Sequence, residues 1–415
     1  MSQFLKVQPA PLIEVFHVNT AYHEDKNPQK VNLSVGAFRT DSCKPWILPV
    51  VKKAEEILAK EINEEIINHE YLPIKGLESF CHAATTLLLG KNDENILNKK
   101  AQGVQGISGT GSLKIALDFY KEVMGASVLY VPIPTWENHK LMGKNCHYAE
   151  IKEYRYWNAK EKNFDLEGMM QDLKEAPANS VVILHGCSHN PTGIDPTPEQ
   201  WGSIIKLFQD PSHPLYLLFD IAYQGFASGD PDKDAYAVRL FASKGIEFFA
   251  AQSFAKNFGL YNERIGNLTV LTSSPETTKR VISQMVILIR GNYSNPPAHG
   301  AQIVEKVLND QSLYQEWKEC VKKMAERIIS IRRDLKKSLD QNNTPGHWNH
   351  ITDQIGMFSF TGLTPKQVQH LRDEWHIYML NNGRISLCGL NKDNVEYVGK
   401  AICETLKIIP NEIYP

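Results

Sequence analysis

Four short segments of the 415-residue chain concentrate side chains of the kinds that bind and react: Pro134-Thr135-Trp136-Glu137-Asn138-His139, Ser188-His189-Asn190-Pro191-Thr192-Gly193, Asp220-Ile221-Ala222-Tyr223-Gln224-Gly225 and Gln252-Ser253-Phe254-Ala255-Lys256-Asn257. A fifth, Gly106-Ile107-Ser108-Gly109-Thr110-Gly111, can close backbone N–H groups on an anion, with the dipole of the following helix adding to the attraction. It is not a Walker A loop, because Ser112 follows Gly111, nor is it G-x-G-x-x-G; by itself it serves equally as a tight turn. Taken singly, Asp220 could cap a helix and Lys256 could lie on the surface. Yet a lysine that follows a strand and precedes Asn257-Phe258-Gly259 would be partly desolvated, which lowers an amine's pKa and suits it to Schiff-base chemistry. An anion cradle, a carboxylate, a tyrosine, an aromatic plate and such a lysine are together what pyridoxal phosphate requires. They answer to its phosphate, pyridinium nitrogen, phenolic oxygen, ring face and carbonyl carbon.

Strand ends must position these clusters. The runs 127–131, 181–184, 215–219, 247–251 and 267–271 are short, β-branched or aromatic, and bounded by Gly, Pro, Asn or Asp, which predicts buried strands of a largely parallel sheet. Helical patterns lie between them, as at 112–123, where Leu113, Ala116, Leu117 and Tyr120 share a face. The alternation predicts an α/β layered domain over 46–322, with function at the carboxyl edge of its sheet. From 323 the pattern changes to a long charged helix followed by mixed pieces, an α+β unit. Its run Arg332, Arg333, Lys336, Lys337 is expected to be a solvated helix face.

Composition excludes several classes. Lys+Arg 45 against Asp+Glu 47 leaves a net charge of -2, so no global basic field draws the chain to nucleic acid or an anionic membrane. Seven scattered cysteines without a CxxC pair argue against a disulfide framework or zinc ribbon, and Cys187 and Cys388 are expected to fill core. His69-Glu70 begins a zincin-like string, but Pro73 stands where the second His belongs, so no metal site is expected. No apolar stretch is long enough for a membrane span, and the first residues resemble neither a signal peptide nor a presequence. The expectation is a cytoplasmic protein, mature from Met1.

The strings Tyr71-Leu72-Pro73-Ile74-Lys75-Gly76, PTWENH, HNPTG, DIAYQGFASGD, QSFAKNFGLYNERIGNLTV, YSNPPAHGA, HITDQIGMFSFTGL and NNGRISLCGL, in this order, closely resemble those of the aspartate aminotransferases of the animal cytosolic type, class I pyridoxal phosphate-dependent aminotransferases. The resemblance runs from about residue 10 to the end. It implies the fold-type I architecture: an N-terminal arm over 1–12, a large cofactor domain over 46–322 with a mostly parallel sheet covered by helices, and a smaller α+β domain from 13–45 and 323–415 that closes on substrate. It also implies a homodimer with shared active sites and a ping-pong reaction between L-aspartate and 2-oxoglutarate, giving oxaloacetate and L-glutamate.

Carried onto this chain, the resemblance makes Lys256 the imine-forming amine and proton shuttle. Asp220 partners the pyridinium nitrogen, buttressed by His139. Tyr223 and Asn190 bond the phenolic oxygen, and Trp136 stacks on the ring. Ser108, Gly109, Thr110, Ser253 and Arg264 hold the phosphate, joined by Tyr71 of the partner subunit. Arg384 clamps the substrate α-carboxylate and Arg290 reaches across the interface to the distal one, with Ser294 nearby; Gly36 lends backbone and Phe360 packs beside Arg384. Trp136 and Asn190 also face substrate. Two arginine clamps imply dicarboxylic amino and keto acids. Departures from the family pattern are mild: Ala255 where Ser is common, Ser112 where Ala is usual, Phe38 for Tyr, and Gly291-Asn292 after Arg290, where glycine loosens the backbone. Two other functions stay open at this point, a transaminase broadened towards aromatic or sulfur amino acids and a non-catalytic protein that keeps the fold.

Overall fold

The computed structural model describes residues 2–410. Among these residues two compact units emerge: one from 45–330 with 353–357, the other from 2–44, 331–352 and 358–410.

The larger unit is built on seven strands in the order β2-β10-β9-β8-β7-β3-β4. These are β2 (Ala101–Ile107), β3 (Val128–Ile133), β4 (Glu150–Arg155), β7 (Val181–His185), β8 (Tyr216–Ile221), β9 (Phe248–Ser253) and β10 (Ile265–Leu271). β9, β8, β7, β3 and β4 run parallel, whereas β10 is antiparallel to both its neighbours. The 267–271 run therefore departs from the expected parallel set. The edge strand β2 is one that β-propensity misses, because its sequence AQGVQGI carries two glycines and two glutamines. Gly103 is required there: a Cβ would meet the Cys81 carbonyl and the Thr85 hydroxyl, each at 2.9 Å.

Both sheet faces are buried, which is why the strands read as unbroken apolar runs. Val182, Leu184, Leu217, Phe219 and Phe248 pack into one core, while Val181, Ile183, Leu218 and Phe249 point into the other. Two strands pair as the small hairpin of β5 (Trp157–Asn158) and β6 (Asn163–Phe164).

The presumed glycine loop is not a loop. β2 runs through Ile107 and a helix starts at once, Ser108–Asp118, followed by a π turn over Phe119–Val123. Its glycines serve close approach, since a Cβ on Gly109 would come within 3.0 Å of Ser253 Cβ.

In the smaller unit β1 (Val31–Asn32) pairs in parallel with β12 (Ile377–Tyr378), and β11 (Phe358–Phe360) pairs antiparallel with β13 (Arg384–Ser386). The charged helix begins earlier than the sequence suggests and spans Gln311–Gln341. Arg332 corrects the expectation of a solvated charge run: it is 2% exposed and donates to the carbonyls of Ile351, at 2.8 Å, and Phe358. Burial pushes its guanidinium down to about 9. Charge periodicity does not reveal a cation whose partners are backbone carbonyls. Among the described residues no helix is long and apolar enough to cross a membrane.

Candidate active site

Asp220 is the penultimate residue of β8, so the parallel ladder carries its carboxylate to the C-terminal edge of the sheet. It is buried, and Oδ2 accepts from His139 Nε2 at 3.0 Å; the other ring nitrogen of His139 meets the Thr135 hydroxyl at 2.8 Å. Burial pushes the carboxyl up, but the hydrogen bond and charge of His139, together with Lys256, outweigh it and hold Asp220 below the ordinary carboxylate range. Burial, with His189 and His139 nearby, keeps His185 neutral, its pKa well below the usual imidazole value. Trp136 meets His139 edge-on, ring centroids 5.3 Å apart. His139, His185 and Asp220 bring ligand atoms within 4.8 Å of one another, yet both His139 ring nitrogens are already engaged.

Three residues past the end of β9, Lys256 is half-buried, and its ammonium lies 4.9 Å from the centroid of the Tyr223 ring. Asn190 follows β7 in a buried loop, where its N–H points at His185 Nδ1 at 3.4 Å. Lys256, Tyr223, Asn190 and Asp220 thus stand after three adjacent parallel strands, β9, β8 and β7, or at the end of one.

The anion cradle forms where β2 and β10 meet the 108–118 helix. That helix has no side-chain N-cap, so its first-turn N–H groups are not closed off by a capping residue. Ser108 Oγ and Ser253 Oγ face each other at 3.2 Å, and Ser108 N–H donates to the Arg264 carbonyl at 3.0 Å. Thr110 lies in the same turn. Ser108 and Arg264 both adopt left-handed backbone, φ 61° and 57°. Strain of about 1–3 kcal/mol per such non-glycine residue gathers at this corner.

Tyr71 is 84% exposed. Arg290, in the last turn of the Pro275–Asn292 helix, is also exposed and donates to Ser294 Oγ. Ser294 has φ 69° and donates to Asn295 Oδ1 at 2.8 Å, while Asn295 Nδ2 reaches the Leu72 carbonyl at 2.7 Å. One hydrogen-bonded chain therefore joins the two exposed elements. Asn292 Nδ2 holds Asp118 at 3.1 Å, tying the helix end down beside Gly291.

In the smaller unit Arg384 is buried, donates to the Ser34 carbonyl at 2.6 Å and lies opposite Phe360 in the β11–β13 ladder. The ring of Phe358 also lies against its guanidinium, with the centroid 4.2 Å from Cζ. Sequence reasoning missed Phe358, although alternation along FSF puts both phenylalanines on one strand face. Gly36 is explained by the same ring, since its Cβ would meet Phe358 Cζ at 2.8 Å.

These side chains fit pyridoxal 5'-phosphate. Ionised Asp220 deep in the protein is half of an ion pair that a pyridinium completes, Lys256 offers an amine beside it, and the helix start with two hydroxyls suits a phosphate.

Comparison with known proteins agrees with that chemistry. Residues 28–402 match the sequence profile described as "Aminotransferase class I and II". The chain is 48% identical over 410 residues to the cytoplasmic aspartate aminotransferase of Gallus gallus, covering 98% of each chain. Its fold superposes on the cytoplasmic aspartate aminotransferase of Saccharomyces cerevisiae with a TM-score of 0.93 at 41% identity, covering 98% of this chain and 99% of that one. An aromatic-amino-acid aminotransferase from Burkholderia pseudomallei, solved covalently bound to pyridoxal phosphate, gives a TM-score of 0.93 at 36% identity over 98% of this chain and 100% of that one.

Proposed function

The chain belongs to the class I and II aminotransferase family, and from that premise we propose how its side chains carry out the reversible transfer of an amino group between L-aspartate and 2-oxoglutarate, giving oxaloacetate and L-glutamate. Bound at Lys256, pyridoxal 5'-phosphate supplies an electron sink conjugated to the substrate's Cα. Asp220, kept ionised by His139, would hold a proton on the cofactor's ring nitrogen. Lys256 Nζ would hold and move the proton lost from the substrate's Cα. Tyr223 and Asn190 donate to the phenolic oxygen, and Trp136 covers the ring. Ser108, Gly109, Thr110, Ser253 and Arg264 grip the phosphate.

Arg384 takes the substrate α-carboxylate in a two-pronged bond, its guanidinium oriented by Phe358 and the Ser34 carbonyl. Phe360 packs beside it and Gly36 lends backbone. Arg290 of the partner subunit takes the distal carboxylate, with Ser294 orienting it, and Tyr71 of the partner subunit reaches the phosphate. The exposure of Tyr71 and Arg290 supports a homodimer that covers both. The cytoplasmic names of the relatives support a cytoplasmic location.

The observation that carries this function is the buried Asp220–His139 pair. Keeping a carboxylate ionised away from water is costly unless a cation completes it. The test is formation of oxaloacetate and glutamate from aspartate and 2-oxoglutarate by purified protein loaded with the cofactor; protein that neither takes up the cofactor nor turns over would sink the proposal. Mixed dimers of Arg290→Ala and Arg384→Ala subunits should recover part of the activity, and verified heterodimers without recovery count against sharing.

A further inference from the structure

Two carboxylates, half-buried Asp195 and buried Asp234, stand directly behind the loops that bear Asn190 and Tyr223, and neither belongs to the groups assigned above. Asp195 lies five residues after Asn190. Its Oδ2 accepts the N–H of Ser188 at 2.6 Å and its Oδ1 the N–H of His189 at 2.9 Å. These are the two residues immediately before Asn190, and Ser188 is held in left-handed backbone with φ 52°. The loop is closed further by Gly193 N–H on the His189 carbonyl at 2.7 Å and by Ile355 N–H on the Gly193 carbonyl at 2.6 Å.

Asp234, at the end of the short Pro231–Asp234 helix, repeats the device on the loop that follows the neighbouring strand. Its Oδ2 accepts the N–H groups of Gly225 and Ala227 at 2.8 and 2.9 Å, and its Oδ1 accepts from Ser228, N–H at 3.1 Å and hydroxyl at 2.6 Å. Gly225 is two residues beyond Tyr223, whose carbonyl is bonded by Phe226 N–H at 2.9 Å. Burial drives both carboxyls up, Asp195 to about 6, with Asp234 adding to the rise. Cys187 lies in the field of both, and Asp195 also faces Tyr156. Two carboxylates that would be cheaper in water are thus spent on backbone N–H groups flanking the two donors to one oxygen.

We propose that Asp195 and Asp234 are matched positioning residues, each setting the donor of its own loop, Asn190 and Tyr223 respectively, against the cofactor's phenolic oxygen. The inference rests on the assignment of those two donors given above. Donation to that oxygen weakens its hold on the proton at Lys256 Nζ, so a misplaced donor leaves the proton more firmly bound. The pH at which the cofactor's visible absorbance changes therefore rises.

The experiment measures that pH midpoint in substrate-free holoenzyme. Asn shares the shape of Asp but turns an N–H₂ towards one of the backbone donors, breaking one bond of the set. Asp195→Asn and Asp234→Asn should each raise the midpoint by about half a pH unit or more, the scale of a charge-assisted hydrogen bond put out of place. Asp195→Asn should add little in an Asn190→Ala background, and Asp234→Asn little in a Tyr223→Phe background, because each pair shares one pathway. An unchanged midpoint, full additivity within the pairs, or a downward shift overturns the inference. A downward shift is what loss of negative charge alone produces. If Asn190→Ala and Tyr223→Phe themselves leave the midpoint in place, the donor assignment fails and takes the inference with it. Should either Asn variant not fold, Asp195→Glu or Asp234→Glu, with the carboxylate one methylene out of register, should give the same upward shift, and its absence counts equally against the proposal.

Discussion

Gly36→Ala tests the α-carboxylate clamp through a single methyl group. Gly36 has no positive φ, so alanine meets no backbone strain and the effect is steric. The new Cβ would sit 2.8 Å from Phe358 Cζ and 3.4 Å from Cε1. Ordinary carbon contacts begin near 3.5 Å, so the ring has to withdraw by roughly 0.7 Å. It is not free to do so quietly. Its backbone is pinned by the β11–β13 ladder and by Arg332, and its face lies 4.2 Å from the Arg384 guanidinium. Arg384 is anchored from the other side by the Ser34 carbonyl, two residues from Gly36. A positioning group displaced by about 1 Å costs on the order of a hundredfold, so the expected loss in kcat/KM is roughly ten- to a hundredfold, about 1.4–2.8 kcal/mol. Steady-state assays with aspartate and with phenylalanine should lose the same factor, since both substrates carry an α-carboxylate. Undiminished kcat/KM in folded Gly36→Ala, or a loss confined to aspartate, would refute the reasoning.

Three further outcomes are expected. Borohydride reduction of cofactor-loaded protein should fix the cofactor to the peptide containing Lys256 as a secondary amine, adding the cofactor's mass less one oxygen, and Lys256→Ala should show neither that adduct nor turnover; an adduct elsewhere assigns a different amine. Arg290→Ala should lower kcat/KM for aspartate by roughly 2–4 kcal/mol, as for a truncated ion-pair partner, and leave phenylalanine within a few-fold. Equal losses for both substrates would remove Arg290 from distal-carboxylate recognition. Asp25 is held down to about 2, from an ordinary 3.8, first by the N–H of Asn27 and then by Tyr378 and His376. A carboxylate depressed in the folded state stabilises fully above its unfolded pKa and progressively less as pH falls through the folded value. Stability should therefore decline between about pH 4 and pH 2, a decline blunted in Asp25→Asn and followed by circular dichroism.

The legibility of this molecule varied with how local the cause was. Strands β3, β7, β8 and β9 could be read as apolar runs because they are buried on both faces, but the ends shifted: Asp220 and Ser253 lie within strands rather than after them. β2 escaped because its glycines answer to Cys81, Thr85 and Ser112, contacts made across the fold. The phosphate-type corner was recognisable as glycine-rich, whereas its actual form, a strand running straight into an uncapped helix, depends on the antiparallel ladder with β10. Lys256, Tyr223, Asn190 and Asp220 were marked by residue type within short segments, and adjacent strand ends bring them together. Phe358, Asp195 and Asp234 carry no such mark. Each acts through the backbone or side chain of another residue, and such second-hand roles leave a trace only in contacts.

The pairing of β1 with β12 also dictates a schedule for synthesis. Asp25 and His376, bonded across the end of this pair, are 351 positions apart in the chain. At roughly 5–20 residues per second, some 20 to 70 s separate the emergence of the first strand from that of its partner. Residues 45–330 have all left the ribosome by then, so nearly the whole larger unit can fold first. Val31 and Leu33, buried in the finished molecule, spend that interval without the strand that covers them. A nascent chain halted before Ile377 thus presents Val31 and Leu33 unpaired to whatever holds unfolded segments in the cell.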